Sequence, residues 1–191
     1  MKKTLKEILI IFIGSSILAL IINAVSPKGI PLVMDMSKYS TENSDKMMTE
    51  FKNNPTDTAS NKEKPLMNRP HWNEKEKFFE PQNIKLNFAK LLYDKNALFI
   101  DGRVEEDYKA GHIKNAINIS YVDFHKLTKD QKLEVLKKYN KDGIIVCYCK
   151  GGDCELSIDL AYDIAKLGYN SMNIYLGGYK EWEDAGFPVD K

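Results

Sequence analysis

Hydrophobic and polar positions divide the chain into three stretches. Residues 8–25 are apolar except at Gly14, Ser15, Ser16 and Asn23. This segment is apolar on every face rather than along one stripe, and as a helix it would span about 27 Å, close to the roughly 30 Å hydrocarbon core of a bilayer. The prolines and glycine of Ser26-Pro27-Lys28-Gly29-Ile30-Pro31 end it. From residue 35 to 82 the chain is polar, interrupted by Pro55, Pro65, Pro70 and Pro81, and no helical or strand period is sustained. Residues 26–82 are therefore expected to be a flexible juxtamembrane spacer. Trp72, Phe78 and Phe79 stand out within it and are expected to pack on a following domain rather than to rest on lipid headgroups.

From residue 83 to the end, short apolar runs alternate with helical patterns. Ile84 and Leu86 predict the start of an edge strand, and Phe88, Leu91 and Leu92 a short helix face. Strands are expected over 97–100, 116–119, 143–147 and 172–176, the third of them central. A helical turn is expected over 104–109, with one or two helices marked by Phe124, Leu127, Leu133, Val135, Leu136 and Tyr139. A further helix begins at Ser157, shown by Leu160, Ala161, Ile164, Ala165 and Leu167 before Gly168, and a last one covers 179–185. Alternation of this kind predicts an α/β domain over 83–191, with a mainly parallel sheet flanked by helices.

Charge and composition narrow the function. A net charge of +1 gives no electrostatic case for nucleic acid. The basic residues Lys2, Lys3 and Lys6, in a tail over 1–7, sit directly before the apolar run. By the positive-inside rule they keep the N-terminus cytoplasmic and send the remainder across the membrane. A cleaved signal peptide is the rival reading, but the apolar stretch is long for one, and Ile22-Asn23-Ala24 is a poor small-x-small cleavage site. The expectation is a single-pass membrane protein with an extracytoplasmic domain.

The three cysteines, Cys147, Cys149 and Cys154, form no stapling framework because they crowd into one short segment. The apolar run Ile144-Ile145-Val146 leads into them, and a glycine-containing loop and the helix from Ser157 follow. Cys149 is thus placed at the carboxyl end of a strand and before a helix N-terminus. Loop N–H groups and the helix dipole both stabilise an anion there, which favours a thiolate. In open α/β sheets ligands also bind at the carboxyl ends of strands. Gly151 and Gly152 let the loop curl.

Asp101-Gly102-Arg103, Gly111-His112-Ile113, the loop from Cys149, and Leu176-Gly177-Gly178 with Trp182 occur in an order and spacing that resembles the rhodanese-like (sulfurtransferase) domain. The resemblance covers residues 83–191 and describes a membrane-anchored variant with an extended Cys-x4-Cys loop. It implies that Cys149 is the nucleophile, taking the outer sulfur of a small donor such as thiosulfate or a persulfide and passing it to a thiol acceptor. Lys150, Gly151, Gly152, Asp153, Cys154, Glu155 and Leu156 would then form the substrate-binding loop. No cofactor is implied.

The loop departs from the commonest family pattern, in which four residues separate the cysteine from an Arg-Ser pair. Aligning Cys149 and Ser157 leaves about two extra residues and puts Leu156 at the arginine position. Lys150 is the only basic loop residue, against Asp153 and Glu155. The change disfavours a dianionic donor and argues against phosphate, which calls for a bidentate arginine. Cys154 is either a resolving thiol for Cys149 or loop packing, and Cys147 is expected in the core. A metal held by the three cysteines lacks a fourth ligand unless the fold brings His112 or His125 close. Asp101, Arg103 and His112 are expected to be scaffold. The competing functions are a thiol–disulfide redox protein using Cys149 and Cys154, and a non-catalytic binding module whose protein partner is not legible.

Overall fold

The computed structural model describes residues 2–26, 39–53, 72–152 and 154–191. Contacts divide the chain into two units, 1–36 and 37–191. The first holds helix α1 (Lys2–Val25). Its stretch Lys6–Val25 is long and apolar enough to cross a membrane. Ile10, Ile11 and Phe12 are about 70% exposed, so α1 is not a buried core helix.

The second unit is built on a five-stranded sheet of β3 (Gln82–Ile84), β4 (Leu98–Asp101), β6 (Ile117–Asn118), β7 (Ile145–Tyr148) and β8 (Met172–Tyr175). Their order is β3-β8-β7-β4-β6 and every pairing is parallel. β7 is central, as its unbroken apolar run predicts, and all four of its residues are buried. Successive side chains leave a strand on opposite faces. Ile100, Ile145, Cys147 and Ile174 therefore join one core, with Leu160, Ala161 and Ile164 of α7 (Leu156–Ala165) and with Phe124 and Leu136. Phe99, Val146, Tyr148 and Tyr175 join the other, with Phe88 and Leu92 of α3 (Leu86–Asp94) and Trp182 of α8 (Gly178–Asp184).

The smaller helices follow the expected order. They are α4 (Glu105–Ala110), α5 (Tyr121–Phe124) and α6 (Lys129–Leu136). The short strands β5 (His112–Ile113) and β9 (Val189–Asp190) pair antiparallel. Thr128 caps α6 in a capping box with Gln131.

Within the stretch expected as a spacer over 26–82, two described segments are ordered, one unexpected and one the expected packing of the aromatic residues, while residues 27–38 and 54–71 lie outside the described residues. Ser44–Asn53 forms helix α2, and its Met47 and Phe51 are buried beside Phe88, Ala89 and Leu92. β1 (Trp72–Asn73) and β2 (Phe78–Phe79) form a hairpin that buries Phe78 in the α7-side core, while Trp72 stays 42% exposed against Phe79. The polar stretch thus contributes core residues, because a few apolar side chains at the right spacing suffice for docking. Leu86 opens α3 rather than extending the edge strand, which ends at Ile84.

Candidate active site

The loop after β7 lies at the carboxyl edge of the sheet, between the N-terminal ends of α7 and α8. Its floor is made by hydrogen bonds from α8: Tyr179 N–H donates to the Cys149 carbonyl at 2.8 Å and Lys180 N–H to the Lys150 carbonyl at 3.1 Å. The approach leaves no room for side chains on either partner. A Cβ on Gly178 would lie 2.4 Å from Gly151 N, and one on Gly151 would lie 2.1 Å from the Gly177 carbonyl oxygen. Both residues also adopt positive φ, +64° at Gly178 and +101° at Gly151. Gly178 is thus part of the loop's seat, beyond the strand–helix turn that its sequence position indicates.

Cys149 is almost fully buried, with Sγ 3.5 Å from Ser157 Oγ in the first turn of α7 and 3.2 Å from the Cys154 carbonyl oxygen. The sulfur therefore faces the positive end of the α7 dipole. Its partner is Cys154: the two are joined as a disulfide, with Cα atoms 6.6 Å apart. Cys154 is half-buried, Lys150, Gly152 and Glu155 are exposed, and Gly151 and Leu156 are intermediate. Asp153 lies outside the described residues. The Glu155 carboxylate accepts a hydrogen bond from the Tyr39 hydroxyl, so a residue preceding α2 ties down the far side of the loop. A side chain that distant in sequence carries no motif by which it could be anticipated.

The remaining candidates separate by role. Cys147 is a free thiol buried in the α7-side core, and desolvation pushes its pKa well up. Asp101 and Arg103 form a buried ion pair at 2.6 Å, and Arg103 also donates to the Gly111 carbonyl at 2.6 Å. Burial pulls the guanidinium pKa down, but hydrogen bonding to Asp101 and its charge outweigh this, so the net shift is upward. His112 stacks on Tyr108 with Nδ1 2.9 Å from the Tyr108 carbonyl oxygen, and His125 Nδ1 lies 3.0 Å from that of Tyr121. Among the described residues no group of three or more His, Cys, Asp or Glu side chains is placed to hold a metal. Trp182 is fully buried and donates to the Pro188 carbonyl at 2.9 Å.

Residues 86–185, just over half the chain, match the family model described as a rhodanese-like domain. The chain belongs to the rhodanese-like domain family. Among curated relatives, tRNA uridine(34) hydroxylase of Buchnera aphidicola is 39% identical over 122 residues, 60% of this chain but 37% of that protein. This rhodanese-like chain thus spans little more than a third of that relative's length. Thiosulfate sulfurtransferase 16 of Arabidopsis thaliana is 26% identical, over 57% of this chain and 92% of that protein. Among solved structures, a human single-domain sulfurtransferase is 23% identical over 53% of this chain and 95% of that one, with a TM-score of 0.44.

Proposed function

We propose that this rhodanese-like chain is a membrane-tethered sulfurtransferase or persulfide carrier, with Cys149 as the sulfur-accepting nucleophile. The observation that carries the reading is the position of Cys149 Sγ, beside Ser157 at the N-terminal end of α7 and in a loop seated on α8. A reduced Cys149 there has a stabilised thiolate, and the same dipole stabilises the terminal sulfur of a persulfide. The thiolate attacks the outer sulfur of a sulfane donor, the donor's leaving group departs, and an acceptor thiol then takes the sulfur from the persulfide. The likeness to a sulfurtransferase of which nearly the whole length is matched supports this reaction class.

Loop charge selects among donors. Leu156 stands where the commonest family pattern has arginine, and exposed Glu155 adds negative charge. Persulfides, with a smaller anionic charge, therefore suit the site better than the thiosulfate dianion. Helix α1 supplies the tether, and Lys2, Lys3 and Lys6 assign the N-terminus to the cytoplasmic side. The test is intact-mass measurement of the reduced protein after exposure to a glutathione persulfide and, separately, to thiosulfate. Addition of one sulfur in wild type and none in Cys149→Ser is the expected result. A Cys149→Ser variant that takes up sulfur as the wild type does would overturn the assignment.

A further inference from the structure

We infer that the loop carries a second activity: Cys154 resolves the Cys149 persulfide, releasing sulfide and closing the Cys149–Cys154 disulfide. The inference rests on Cys149 being the sulfur acceptor and concerns what becomes of the sulfur when no acceptor thiol arrives.

Three observations place Cys154 beside the nucleophile. Its Cα lies 6.6 Å from that of Cys149, within the span a disulfide requires. Its carbonyl oxygen is 3.2 Å from Cys149 Sγ, so the backbone itself folds back over the sulfur. Its neighbour Glu155 is held by the Tyr39 hydroxyl, which fixes the returning arm of the loop. The two residues inserted relative to the commonest loop supply the length for this return. Cys147 is no rival, because it is buried in the sheet core and unpaired.

The chemistry balances without an outside oxidant. In the first step the Cys149 thiolate takes a sulfane sulfur, and the donor leaves with the bonding pair. In the second, the Cys154 thiolate attacks the inner sulfur, that of Cys149. A Cys149–Cys154 bond forms, the bond to the terminal sulfur breaks, and that sulfur departs as hydrosulfide. The sulfane sulfur is reduced by two electrons and the two thiols are oxidised by two. A thiol reductant from solution returns the loop to the dithiol by exchange, which permits turnover. The activity is a sulfane-sulfur reductase, distinct from transfer because the product is free sulfide and not a persulfidated acceptor.

The experiment uses the reduced full-length protein in detergent, freed of reductant and given one equivalent of glutathione persulfide. Intact mass and released sulfide are followed over time for wild type, Cys154→Ser and Cys154→Ala. Wild type is expected to gain one sulfur transiently. It then settles at the reduced mass less two hydrogens, with stoichiometric sulfide release. Both Cys154 variants are expected to gain one sulfur, to hold it, and to release no sulfide. Equal persulfide lifetimes in wild type and variants, with no disulfide formed, would overturn the resolving role and leave sulfur acceptance intact. Absence of sulfur uptake in all three proteins, with no disulfide or sulfide in wild type, would overturn both readings.

Discussion

Cys147 and Cys149 lie two residues apart, yet their surroundings impose opposite chemistry. Cys147 is desolvated inside the sheet core, where nothing offsets the loss of water around a thiolate. Cys149 has passed the strand end and faces the first turn of α7. Access does not separate them, since both are nearly inaccessible; the field at the sulfur does. In the reduced protein at neutral pH, iodoacetamide is expected to label Cys149 well before Cys147, read by peptide mass mapping over time. Faster labelling of Cys147 would refute the nucleophile assignment. The contrast was legible in part: strand alternation marks Cys147 as core, and the strand–loop–helix order places Cys149 past the strand end and before a helix N-terminus. The seat made by Gly178 and the tie from Tyr39 were not, because each depends on segments that meet only in the fold. The buried Asp101–Arg103 pair is a second residue-scale case. Arg103→Ala leaves the Asp101 carboxylate buried without its cation, a loss of about 3–5 kcal/mol for a broken buried pair. Urea unfolding is expected to show that loss, and a variant with unchanged midpoint would remove the pair from the scaffold.

At the scale of elements, the alternation of strands and helices from residue 83 onward corresponds closely to the sheet observed. Long-period signals made it legible: four-residue apolar runs buried on both faces, and the α7 pattern of Leu160, Ala161, Ile164 and Ala165. Helix α2 was hidden because its signal is short. Met47 and Phe51 are spaced i, i+4 on a helix of ten residues whose only other apolar side chain is Met48, and the surrounding sequence has no matching period. Its beginning carries modest signals in hindsight. Asp45 lies in the first turn and Lys52 in the last, both favourable to the helix dipole. Ser44 Oγ also accepts a hydrogen bond from Lys85 N–H at 2.9 Å, joining α2 to the start of α3. The helix is therefore part of the domain's stability, not only a connector. Phe51→Ala removes the edge contact with Phe88, whose ring centroid is 6.0 Å away, and a buried aromatic truncation costs about 3–5 kcal/mol. A fall in the urea midpoint without a change in slope is expected. If Phe51→Ala unfolds with the wild-type midpoint, α2 is not docked.

For the whole molecule, the governing question is where the loop works, because compartment decides both redox poise and sulfur supply. Ile10, Ile11 and Phe12 of helix α1 are exposed, and its stretch Lys6–Val25 is long and apolar enough to cross a membrane. The proposed orientation, with Lys2, Lys3 and Lys6 on the cytoplasmic side, would carry the residues beyond Val25 across the membrane. Outside the cytoplasm, a Cys149–Cys154 pair meets conditions in which disulfides persist, so the resolved state would accumulate until a reductant arrives. The same domain in the cytoplasm would be kept as a dithiol and biased toward sulfur transfer. Orientation thus predicts the resting oxidation state. The full-length chain is expected to remain in the membrane pellet after alkaline carbonate washing and to resist protease added from the cytoplasmic side. Thiol-trapping at harvest with a maleimide reagent is expected to leave Cys149 and Cys154 unmodified until a reductant is added. Digestion from the cytoplasmic face, with both cysteines trapped as free thiols, would reverse the orientation and make transfer the resting mode. A shortened protein in the carbonate supernatant would instead show that the apolar segment is removed and that no tether persists.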